Sequence, residues 1–106
     1  MTINMRVLED GIAEFVFMEK RGVWGFDAES NDDMTEAMIR SQENFLNRIL
    51  QGQTANRLTL YDAVQQFGIE AERYYIFFGW NQEDEIRVDR YIGMRKIMIQ
   101  FRCRIL

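Results

Sequence analysis

The chain has 106 residues, a formal net charge of -4, 47% hydrophobic and 28% charged residues, the profile of one globular domain with a modest core. It holds no histidine, no proline and one cysteine, which removes the commonest general base and metal ligand, any disulfide within the chain and any thiolate zinc cage. No secretion-type leader stands in MTINMRVLED and no apolar run reaches the roughly 20 residues of a membrane span, so a soluble, cytoplasmic protein without membrane contact is expected.

Two readings are open for the first twenty residues. The run "EDGIAEFVFMEKRG" begins with acids and ends with bases before Gly22, which complements a helix dipole. The same stretch, with "INMRV" before Asp10-Gly11 and "IAEFVFM" after it, also reads as a strand hairpin. The charges lean narrowly to the helix. "VWGF" follows as a short extended segment that brings Trp24 and Phe26 to the core.

In "GFDAESNDDMTEAM", Asp27, Glu29, Asn31 and Asp33 fall at every second position, as the first ligands of a calcium loop would. The pattern then fails. The glycine position holds Asp32, and the place of the bidentate glutamate holds Met38. Helix entry explains the acids better, with Asp33 as N-cap and Glu36 completing a capping box. No metal and no cofactor are expected. A helix should then run from Met34 to Leu50, its apolar stripe formed by Met34, Ala37, Met38, Ser41, Phe45, Ile49 and Leu50, with Gly52 as the stop.

A shorter helix is expected in "TLYDAVQQFGI". Thr59 caps it and Asp62 reaches back, Leu60, Ala63, Val64 and Phe67 form its buried face, and Gly68 closes it with Ile69 folding onto the last turn. "RYYIFFGW" suits a strand buried on both faces. "EIRVDRYI" alternates less cleanly. "KIMIQFRCRIL" alternates throughout, which places Ile97, Ile99, Phe101, Cys103 and Ile105 inward and Lys96, Met98, Gln100, Arg102 and Arg104 outward. The short turns "NQED" and "GMRK" connect these runs as an antiparallel meander, and its last strand is expected at the sheet edge.

Catalytic chemistry is hard to assemble from these residues. Ser30 and Ser41 are the only serines, neither lies in a glycine elbow, and Cys103 reads as a buried, inert thiol. Glu83, Asp84 and Glu85 read as a solvated turn. The chain is therefore expected not to be an enzyme. Charge is more telling: residues from Ile86 onward sum to +5 and the rest to -9. Arg87, Arg90, Tyr91, Lys96, Arg102 and Arg104 are the candidate partner-binding residues, arginine being suited to multi-point contacts.

The segment "LTLYDAVQQFGI" leading to Gly79-Trp80 and then "EIRV" resembles a segment of small uncharacterised bacterial and phage accessory proteins. The matching positions are Leu60, Asp62, Phe67, Gly68, Gly79 and Trp80. The resemblance implies an accessory origin and carries over no catalytic residue.

The expected fold is one α+β domain over residues 1–106, with two or three helices packed on a mainly antiparallel C-terminal β-meander. The expected function is a non-catalytic protein-interaction module, of accessory or inhibitory type, whose partner is another protein or a second copy. The alternative is a nucleic-acid-binding module that uses the basic face of the C-terminal sheet, with aromatics for stacking.

Overall fold

The structure is a computed structural model that describes residues 2–8, 10–27, 31–52 and 57–106. In chain order come β1 (Thr2–Val7), β2 (Ile12–Lys20), α1 (Asp32–Gln51), β3 (Arg57–Thr59), α2 (Leu60–Gln65), a 3₁₀ helix (Arg73–Phe77), β4 (Phe78–Asn81), β5 (Val88–Ile92) and β6 (Lys96–Ile105). The fold is α+β, with a six-stranded antiparallel sheet in the order β1-β2-β6-β4-β3 and β5 paired to β6.

The N-terminal segment is a hairpin, not a helix. Ala13, Phe15 and Phe17 are all fully buried. A strand puts them on one face, whereas a helical turn of about 100° per residue would swing Phe15 away from the other two. Gly11, at φ 75°, supplies the left-handed turn residue that Asp10-Gly11 promised. Two-fold alternation thus outweighs the dipole argument.

β6 lies in the middle of the sheet, which corrects its expected place at the edge. β2 pairs along its whole length, from Ile12 opposite Arg104 to Lys20 opposite Lys96. On its other side β5 takes Ile97 to Phe101, and β4 takes Arg104 and Ile105. β4 therefore joins β6 rather than β5. The gap between the two partners falls at Arg102, whose carbonyl accepts the Trp80 indole N–H at 3.0 Å. Ile97, Ile99, Phe101 and Cys103 are buried as the alternation requires, while Ile105 is half-exposed.

"RYYIFFGW" divides into a 3₁₀ turn and a short strand. The Tyr75 N–H bonds the Glu72 carbonyl at 3.0 Å. Within the turn only Tyr75 is buried, against Phe15 and Phe17. A strand would have needed cover for apolar side chains on both faces. The turn needs it for one.

α1 forms as expected but presents a different face. Its buried residues are Thr35, Ile39, Leu46 and Leu50, whereas Met34, Met38 and Phe45 of the expected stripe are 53%, 38% and 40% exposed. Its N-cap is Asn31, whose side chain accepts the Met34 N–H at 2.9 Å, and not Asp33. Asn31→Ala should cost about 1 kcal/mol in thermal unfolding, and Asp33→Ala markedly less. α2 matches its local code. Thr59 accepts from the Asp62 N–H. The Ile69 N–H reaches the Val64 carbonyl and the Gly68 N–H the Gln65 carbonyl, with Gly68 at φ 69°, the hydrogen-bond pattern of a Schellman cap.

Candidate protein-binding surface

Ion pairing claims much of the polar side-chain chemistry for the fold. Asp27 is buried and accepts from Arg21 Nε at 2.9 Å, the Gly22 N–H at 2.6 Å and the Thr35 hydroxyl at 3.2 Å. Arg21 continues to Asp32 Oδ1 at 2.7 Å and to the Gly93 carbonyl at 2.9 Å. The first acid of the loop is therefore a clamp that ties β2, α1 and the β5–β6 turn together. Glu29 lies outside the described residues. Among the described residues, no group of three or more Cys, Asp or Glu is placed to hold a metal ion.

The six candidate binding residues divide between the two faces of the sheet. Arg90 points to the helix side, where it bonds both carboxylate oxygens of Glu36 at 2.9–3.2 Å and Glu43 at 3.3 Å. These bonds hold the Glu36 carboxyl below its ordinary range. Glu43 and Asn47 of α1 also bond the Val88 and Ile86 backbone N–H groups, at 2.7 Å each. Arg90 is thus a strut between α1 and β5.

On the opposite face Arg102 meets Glu14 at 3.2 Å and Arg104 meets Asp84 through two bonds of 2.6 and 2.7 Å. Arg104 holds the Asp84 carboxyl low. Asp84 also accepts the Asn81 N–H at 2.9 Å, so this acid organises its turn. Arg87, Tyr91 and Lys96 are exposed. The face that carries them also holds Glu14 and Asp89, so its charge is mixed.

An open cleft of about 370 Å³ lies where β6 has its gap, lined by residues that include Asp10, Trp80, Asp84, Arg102, Cys103 and Arg104. Its arginines already face carboxylates. Burial pushes the Cys103 thiol up to about 12, far from the thiolate a nucleophile needs. Thiol titration of the native protein should therefore be slow and become fast in denaturant; prompt native labelling would mean that this strand face is open.

The surface that sequence reasoning missed is apolar. Met5 and Val7 stand on the helix-side face of β1, opposite Phe15 and Ala13, yet are 45% and 55% exposed. Among the described residues, neither helix covers these two side chains. Beside them the rings of Tyr75 and Phe78 lie 5.5 and 4.9 Å from Phe15, and Tyr74 packs edge-on against both. Tyr74 is 43% and Phe77 60% exposed. Phe77 is tied to the end of β6, its carbonyl accepting the Leu106 N–H at 2.8 Å. Met5, Val7 and Ile105 on the helix-side face, with Tyr74 and Phe77 on the adjoining 3₁₀ helix, are thus exposed apolar side chains on elements that meet around a buried aromatic cluster. The signal was present in "RYYIFF", which holds more large apolar side chains than one short turn can bury.

Within that cluster the Tyr75 hydroxyl is buried with no hydrogen-bond partner among the described residues, and burial raises its pKa above the ordinary range. A buried, unsatisfied hydroxyl costs free energy. Tyr75→Phe should raise stability by about 1 kcal/mol in denaturant unfolding, and a loss would reveal a partner for the oxygen.

No helix among the described residues is long and apolar enough to cross a membrane. No family model, curated protein or solved structure matches this chain.

Proposed function

We propose that this domain is a non-catalytic protein-interaction module, accessory or inhibitory in role, that works by occupying a partner rather than by transforming a substrate. The observation that carries the reading is the exposure of large apolar side chains on β1, the 3₁₀ helix and the end of β6, namely Met5, Val7, Tyr74, Phe77 and Ile105. Aromatic and long apolar side chains grouped over a rigid base are what binding hot spots are made of. The base here is rigid because Phe15, Tyr75 and Phe78 interlock beneath the surface.

The paired state of Arg90, Arg102 and Arg104 favours protein over nucleic acid as the partner. Phosphate binding gains affinity by releasing many counterions, and a cation already matched by a carboxylate contributes less. The nucleic-acid reading rests on Tyr91, Lys96 and Arg87, which are exposed.

Two experiments separate the readings. Affinity capture from the source organism, with wild type and Phe77→Asp in parallel, should retain a protein with the wild type that the variant loses. Titration with mixed single-stranded and duplex oligonucleotides at rising salt should show no tight binding. Strong oligonucleotide binding that fades with salt and is lost in Lys96→Glu would favour the nucleic-acid alternative instead.

A further inference from the structure

Among the described residues no strand pairs with the outer side of β1, and that side has a definite hydrogen-bonding phase. In an antiparallel pair, alternate residues point their backbone groups toward the partner and away from it. The Leu8 N–H bonds the Ile12 carbonyl at 2.6 Å, and the β1–β2 register is unbroken from Thr2 opposite Met18 to Val7 opposite Ala13. Counting back by twos, the even-numbered residues of β1 face β2. Ile3, Met5 and Val7 therefore present their N–H and C=O groups outward, one donor and one acceptor each.

The other outer strands are shorter, and one of them is partly capped. β3 has only three residues, and β5 has its Val88 N–H taken by Glu43 and its Val88 carbonyl by Arg90. β1 has none of the usual devices against pairing, which are proline, a bulge or a charge turned toward the covered face. Its only charge, Arg6, lies on the other face and is held by Glu14 at 3.1 Å. Its helix-side residues are Ile3, Met5 and Val7. An edge that offers outward backbone groups and an apolar flank is built to be paired.

We infer that β1 pairs with β1 of a second copy of this chain, antiparallel about a two-fold axis at Met5. In that register Met5 faces its own counterpart, Ile3 faces Val7 of the other copy, and Asn4 faces Arg6. The residues whose backbone groups point outward are brought together on both strands, so the hydrogen-bonding phase matches. Apolar side chains meet on the helix side, and an amide carbonyl meets a guanidinium on the other. A foreign strand would satisfy the backbone equally, but the chain's own β1 satisfies backbone phase, apolar face and polar face at once. The arrangement is also closed, because a two-fold pair uses up both β1 edges. This inference rests on the protein-interaction reading and assigns its partner, while leaving Tyr74 and Phe77 of each copy outside the strand pair.

Sedimentation of the wild-type chain across a concentration series should show a dimer. Met5→Lys places a charge on the apolar flank of the edge and should shift the species to a monomer, with circular dichroism confirming the fold. Met5→Pro should do the same, because it removes an outward N–H, whereas Asn4→Pro should damage the β1–β2 hairpin itself. Register is read by cross-linking: a short bifunctional thiol reagent should join two Met5→Cys copies across the two-fold, and should not join two Val7→Cys copies. A wild type that stays monomeric throughout overturns the inference, as does a dimer that persists in folded Met5→Lys or cross-links through Val7→Cys. The protein-interaction reading fails separately, if Phe77→Asp captures the same proteins as the wild type.

Discussion

Asp27→Ala is expected to destabilise the domain by about 3–5 kcal/mol, the range for breaking a buried charge pair from one side. Asp27 is 2% exposed and accepts from a guanidinium, a backbone amide and a hydroxyl. The substitution leaves Arg21 with Asp32 and the Gly93 carbonyl only, and leaves the Gly22 N–H and Thr35 hydroxyl without an acceptor. Total stability for a domain of this size is commonly about 5–15 kcal/mol, so the variant should be close to unfolding at room temperature. Asp27→Asn keeps an acceptor oxygen and loses the charge, and should fall between the two. Urea unfolding of the three proteins gives the ranking. Equal midpoints for wild type and Asp27→Ala would show that the clamp does not bear on stability.

Gly79→Ala is the second large effect. Gly79 lies where β4 passes closest to β3, and a methyl group there would stand 2.1 Å from the Leu58 carbonyl oxygen and 2.9 Å from Thr59 Cα. Both obstacles are backbone, so no side-chain rotation relieves the clash. The β3–β4 pairing has to open, and Thr59, the cap of α2, moves with it. Overpacking of this kind typically costs 1–3 kcal/mol, and about 3 kcal/mol or more is expected where backbone must shift. Gly11→Ala meets open space but keeps a positive φ, and should cost less. A Gly79→Ala loss no larger than that of Gly11→Ala would show that the close approach of β3 and β4 yields at little cost.

Local chemistry was legible in the sequence where a few neighbouring residues decide the structure. Thr59, Gly68 and Ile69 set both ends of α2 within eleven residues. Alternation in β6 placed four buried side chains on the correct face. Long-range facts were not legible. That β6 is central depends on β2 returning to pair with it across some eighty residues of chain, and neither strand carries a mark of its neighbour.

The face of α1 failed for a different reason. Two stripes lie side by side on that helix, and the richer one in methionine and phenylalanine is the exposed one. The buried stripe includes Thr35, a polar residue admitted because its hydroxyl completes the shell around Asp27. Arg90, Arg102 and Arg104 were visible as a basic excess, but the acids that hold them, at Glu36, Glu43, Glu14 and Asp84, come from other parts of the chain. Uneven charge along a sequence can therefore be evened out by folding. The exposed apolar residues are not legible as a group in the sequence because they are spread over β1, the 3₁₀ helix and β6.

Amide hydrogen exchange in β1, followed by NMR at low and at high protein concentration, reads the pairing of this strand residue by residue. The hairpin requires the Asn4 and Arg6 amides to be protected at every concentration. The free edge requires Ile3, Met5 and Val7 to exchange rapidly when dilute, and its pairing with a second copy requires those three, and not the even-numbered set, to become protected as concentration rises. Odd-numbered amides that exchange rapidly at all concentrations would contradict the pairing, and unprotected Asn4 and Arg6 would contradict the strand itself.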